Sequence, residues 1–153
     1  MFELPLSPNE YRRGFSVNIN EAIDLLKNKG YKTTGRRKDI LAFFEKADGY
    51  RTAKDLINHL EETYEGISFD TVYRNLHLYN EVGILETTEL NGEKQFRMNC
   101  THHHHHHFIC NACGKTKEIE VCPMDEVQQT LANYAIEGHK FEIYGLCPLC
   151  QSA

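Results

Sequence analysis

From Ile19 to Gly83 apolar residues recur at helical spacing, and each run is bounded by residues suited to starting or stopping a helix. Ala22, Leu25 and Leu26 mark a first helix that ends at Gly30, a C-cap residue. A second starts near Thr34, an N-cap hydroxyl, and buries Ile40, Leu41 and Phe44. A third follows Thr52 with Leu56, Ile57 and Leu60 on its stripe. The fourth begins at Ser68, aligns Phe69, Val72, Leu76, Tyr79 and Val82 on one face, and stops at Gly83. Two strand-like runs then follow, Ile84 to Leu90 and Lys94 to Met98, joined by Asn91-Gly92, a strong hairpin signal. Helices followed by a two-stranded hairpin describe a winged helix, whose last helix before the wing enters the DNA major groove.

The outer face of that fourth helix carries Thr71, Arg74, Asn75 and His77, with Tyr73 at its boundary. Such a face is either plain solvated surface or a reader of bases. Charge favours the second reading. The chain as a whole carries -5, which argues mildly against nucleic acid, but Lys27 to Lys54 holds nine Lys or Arg against Asp39, Glu45 and Asp48. Arginine can take both acceptors of guanine, and tyrosine can meet thymine methyls or phosphate. Arg74 and Tyr73 are the expected base readers, Thr71 a close neighbour, and Arg37, Arg51 and Lys54 the expected phosphate contacts.

Beyond Met98 the helical pattern gives way to cysteine and histidine. The expected architecture is α+β: an extension over 1–17, a winged-helix DNA-binding domain over 18–98, and a small α/β second domain over 99–153. A chain of 153 residues gives each part a thin core, which invites a staple. The N-terminus shows no apolar run with a cleavage site, and no stretch is apolar enough to span a bilayer. A cytoplasmic location without membrane contact is expected, where the six cysteines stay reduced and Cys-x-x-Cys pairs hold metal or do redox chemistry.

Cys110, Cys113, Cys147 and Cys150 form two such pairs, and four thiolates close the tetrahedral shell of a structural Zn(II) ion. A thioredoxin-like role for either pair is the alternative. Six histidines, His102 to His107, precede Phe108-Ile109. A purification tag or a solvated tract are the plain readings of such a run, but this one is internal and flanked by Cys100 and Cys110. In an extended segment successive side chains face opposite ways, so His105 and His107 part from His104 and His106, and one run can feed two sites. Cys100 is a natural ligand for one of them.

Thr34-x-x-Arg37, the run Ser68 to Leu76, Glu81-x-Gly83-Ile84, the His run and both Cys-x-x-Cys pairs together resemble the ferric uptake regulator family, metal-sensing repressors, over about residues 18 to 150. Within it the chain looks most like the zinc uptake regulator branch. The resemblance implies a hinge at the end of the winged-helix domain, a dimerisation role for the second domain, a regulatory zinc site on Glu86, Cys100, His105 and His107, and a second site on His104, His106, Asp125 and His139. It leaves Cys122 over, expected as a buried inert thiol. A thiolate, two imidazoles and a carboxylate suit zinc better than iron or manganese. The implied function is a dimeric zinc-responsive repressor of zinc-uptake genes, acting on an AT-rich inverted-repeat operator in double-stranded DNA, with one structural and one or two regulatory Zn(II) ions per subunit. It would have no small-molecule substrate. An iron- or peroxide-responsive repressor of the same family is the near alternative, and a zinc-storage or chaperone protein the distant one. An enzyme would need an open metal position and a general base, and no His-Glu-x-x-His or comparable arrangement is present.

Overall fold

The computed structural model describes residues 17–100 and 105–152. Its first half is built from α1 (Ile19–Asn28), α2 (Gly35–Lys46), β1 (Arg51–Thr52), α3 (Ala53–Leu60), α4 (Phe69–Val82), β2 (Leu85–Leu90) and β3 (Glu93–Met98). Local chemistry sets the helix starts. The Thr34 hydroxyl accepts from Arg37 N, and Ser68 Oγ accepts from Thr71 N. Thr52 and Asp55 exchange reciprocal bonds in a capping box, as do Asn18 and Glu21. Gly83 closes α4 at φ +86°, and Asn91 and Gly92 turn the hairpin at φ +53° and +76°.

The helices pack their apolar stripes, among them Leu26, Ile40, Phe44, Leu56, Leu76 and Tyr79, against Leu85, Phe96 and Met98 of the sheet. Three expectations need correction. Phe69 lies outside this core, 55% exposed and stacked on Tyr73, because it occupies the first position of α4. Val17, assigned to the N-terminal extension, is buried in the core, and its amide donates to Asn99 O. The wing is a three-stranded sheet, with β1 pairing antiparallel to β3.

The second half comprises β4 (His106–Cys110), β5 (Thr116–Ile119), α5 (Met124–Thr130), β6 (Glu142–Gly145) and α6 (Pro148–Gln151). Strand β4 is central, antiparallel to β5 and parallel to β6. The two halves are docked. Tyr50 N donates to Gly114 O at 3.0 Å, Asn91 Nδ2 to Asn111 O at 2.8 Å, and Tyr50, Leu90 and Ile109 form a small apolar cluster between them. Glycine is required at this seam on both sides. A Cβ on Gly49 would lie 2.2 Å from Gly114 O, and one on Gly114 would lie 2.7 Å from Tyr50 O.

Candidate metal centre and nucleic-acid interface

The parallel pairing of β4 with β6 sets Cys110 opposite Gly145, so the chain that follows brings Cys147 and Cys150 to the first knuckle. All four sulfurs of Cys110, Cys113, Cys147 and Cys150 lie within 4.8 Å of one another. The Cys147 amide donates to Cys110 Sγ at 3.4 Å, and such backbone donors pull the Cys110 thiol down to about 6. Sulfur neighbours, Cys147 first, push Cys150 up to about 12. Four sulfurs packed this closely, with the Cys110 thiolate favoured by backbone donors, fit a site built around a cation.

A second cluster lies where the halves meet. Ligand atoms of Cys100, His105 and His107 also fall within 4.8 Å of one another, and the two imidazole rings stand edge to face at 4.7 Å. They line a cleft of about 590 Å³ together with Glu86, Tyr50 and Glu142. His105 Nδ1 is buried with no hydrogen-bond partner among the described residues, the nearest carboxylate being Glu118 at 3.8 Å. A thiol and two imidazoles with an unsatisfied nitrogen fit a tetrahedral cation. Burial, aided by the Arg97 charge, drives the His107 imidazole down to about 3 and so keeps it neutral, as a ligand must be. Burial also raises the Cys100 thiol and the Glu86 carboxyl.

Arg97 organises this region, and sequence reasoning missed it. Its Nε pairs with Glu86 at 3.0 Å, one terminal nitrogen donates to Cys100 Sγ at 2.6 Å, and the other to Thr116 Oγ1 at 3.1 Å. Glu86 also accepts from the Tyr50 hydroxyl, so it lines the cleft without joining the group of three. Periodicity could not reveal this. The available signal was an arginine in register with Glu86 across the hairpin.

The third cluster differs from expectation. His106, Cys122 and His139 come together, whereas Asp125 stays exposed in the first turn of α5 and takes no part. His104 lies outside the described residues. Cys122 is half-buried, with its sulfur 3.5 Å from His139 Nε2, and is therefore no isolated core thiol.

On α4 the Arg74 side chain is 80% exposed, loosely paired with Asp70, and Tyr73 stands beside it. Thr71 is half-buried and its hydroxyl meets Ser68 Oγ. Arg37 is tied inward to Asn75 and to Lys32 O, Arg51 donates to Tyr50 O, and Lys54 is exposed on α3. Arg36, Arg37, Arg74, Lys32 and Tyr64 line one broad concavity. Thr71, Asn75, His77 and Glu81 of α4 line it as well, so three arginines and a lysine share one hollow with the outer face of α4, whereas Arg51 and Lys54 lie outside it.

Residues 28–144 match the sequence pattern of the ferric uptake regulator family. A ferric uptake regulation protein of Staphylococcus epidermidis is 53% identical over 135 residues, covering 88% of this chain and 98% of that protein. The crystal structure of the Vibrio cholerae ferric uptake regulator superposes with a TM-score of 0.63 at 30% identity, covering 82% and 98% of the two chains. A zinc uptake regulator complexed with zinc and DNA superposes at 0.65 with 25% identity, covering 88% and 93%. The chain belongs to the ferric uptake regulator family and is a metal-responsive transcriptional regulator, not an enzyme.

Proposed function

We propose that this chain is a zinc-responsive repressor, a cytoplasmic homodimer that binds an AT-rich inverted-repeat operator when zinc-loaded and silences zinc-uptake genes. One observation carries the reading: a thiol and two imidazoles, Cys100, His105 and His107, converge at the junction of the two halves. Zinc bound there supplies a divalent charge shared between the hinge and β4. Glu86, on the wing, is the fourth ligand in this reading, and Cys110, Cys113, Cys147 and Cys150 hold a separate structural ion. The sulfur donor favours zinc over iron and manganese, which prefer imidazole and carboxylate sets. Arg74 and Tyr73 read bases, while Arg37, Arg51 and Lys54 hold phosphates. Exposed Ile143 on β6, with Leu146 and Leu149 in the segment after it, supports a partner subunit covering apolar surface at this end of the chain.

Because the hinge ligands come from both halves, their angle and the spacing of two α4 helices in a dimer are linked. Operator binding and zinc binding must then strengthen each other by the same factor. The test is a zinc titration of operator affinity in the wild type and in Cys100→Ser. The variant is expected to lose the zinc-dependent gain, and an unchanged gain removes Cys100 from the regulatory site. An iron-responsive regulator is a second reading, favoured by the name of the S. epidermidis relative. Fe(II) in the same titration decides between them: a gain with iron and none with zinc at buffered free-metal levels establishes the second.

A further inference from the structure

We infer that His106, Cys122 and His139 form a second regulatory-domain cation site of thiolate and imidazole chemistry, taking a borderline-soft divalent ion such as Zn(II), with Cys122 in the place expected for the Asp125 carboxylate. Three segments distant in sequence supply it. His106 opens β4 opposite Ile119, the last residue of β5, so the chain leaving β5 brings Cys122 back over the imidazole. The parallel register of His107 with Glu142 places the segment before β6, with His139 and Phe141, against the same ring. The ligand atoms of all three lie within 4.8 Å of one another, Cys122 Sγ is 3.5 Å from His139 Nε2, and the two imidazole centroids are 5.2 Å apart. Phe141 meets the His106 ring edge to face at 5.2 Å and fixes its orientation. His106 is 7% exposed while His139 faces solvent, so the cluster has a rigid inner donor and an open entry side.

The donor set decides the metal class. One thiolate and two imidazoles select zinc-like ions, whereas a carboxylate in the sulfur's position would move the site towards manganese or iron. Metal binding releases the thiol proton to solvent and leaves the sulfur as the anionic ligand. The two clusters border one cleft but share no ligand atom, because strand alternation turns His106 away from His107. The inference rests on the metal-responsive reading only in that the chain meets zinc.

Cobalt(II) is the probe, added to the full chain after the four-cysteine cluster has been filled with zinc. In Cys100→Ser the hinge offers no sulfur, so any thiolate-to-cobalt charge-transfer absorption comes from elsewhere. That band is expected to persist in Cys100→Ser at about one cobalt ion per chain, as a four-coordinate site with a sulfur ligand requires. It should vanish in Cys100→Ser/Cys122→Ser and remain in Cys100→Ser/Asp125→Asn. His139→Gln, at an exposed position, gives the same loss in the Cys100→Ser background without touching the fold. Absence of the band in Cys100→Ser, or an equal band after Cys122 is removed, overturns the assignment. Failure of the zinc-repressor reading would appear in the operator titration and leave this band intact, so the two are distinguishable.

Discussion

The two halves of the molecule are held together by different means. The first buries a continuous core, from Leu26 and Phe44 through Leu56 and Tyr79 to Phe96. Side-chain hydrogen bonds cap each of α1 to α4. In the second, Ile109 and Cys110 are the buried apolar residues among those described beyond Met98. Helices α5 and α6 bury no side chain and have no side-chain cap. The first half therefore has a hydrophobic core of its own, whereas the second buries little apolar surface among the described residues and, in the proposed reading, relies on its metal clusters and a partner subunit.

The largest effect that could break this contrast is expected at the four-cysteine cluster. Cys113→Ser should abolish amide-exchange protection in β4 to β6 while leaving that of α2 to α4 near wild type. Retained protection in both halves would show that the second folds without its metal. Next, Leu76→Ala should cost the first half about 2–5 kcal/mol in urea unfolding, as a fully buried leucine does on truncation, with the zinc content unchanged. Arg74→Ala should weaken operator binding by about 1–3 kcal/mol at fixed salt, the worth of one bidentate base contact, and leave both unfolding transitions in place. An unchanged affinity would remove α4 from base reading. The smallest effect is a cap: Thr52→Ala should destabilise the first half by about 1 kcal/mol without altering metal binding.

The same contrast explains what the sequence made legible. Thr34, Thr52, Ser68, Gly83 and Asn91-Gly92 act within a few residues of themselves, so their roles can be read locally, and the helices and hairpin stand where they predict. The four cysteines were legible because their spacing alone limits what they can do. Phe69 was misread because periodicity gives a face and not an end, and at the first turn that face has run past the core. A strand of two residues, β1, has no period to detect. Cys122 and Arg97 depend on contacts made by topology: the return of the chain after β5, and the hairpin register that sets Arg97 against Glu86. The expectation at Asp125 follows from the family resemblance, which carries no sign that the chain after β5 brings Cys122 beside His106 and His139.

Arg97 has a consequence for how the protein responds to ionic strength. Its side chain is 13% exposed, and it grips Glu86 on the wing, Cys100 at the hinge and Thr116 on β5 from within the seam. Counterions reach such a buried pair poorly, whereas the exposed arginines and lysines proposed to meet DNA exchange freely with salt. Rising salt should therefore strip the regulator from its operator long before it loosens the joint between its halves. On this reading the molecule that dissociates should still be docked, with Cys100, His105 and His107 held together for the next encounter.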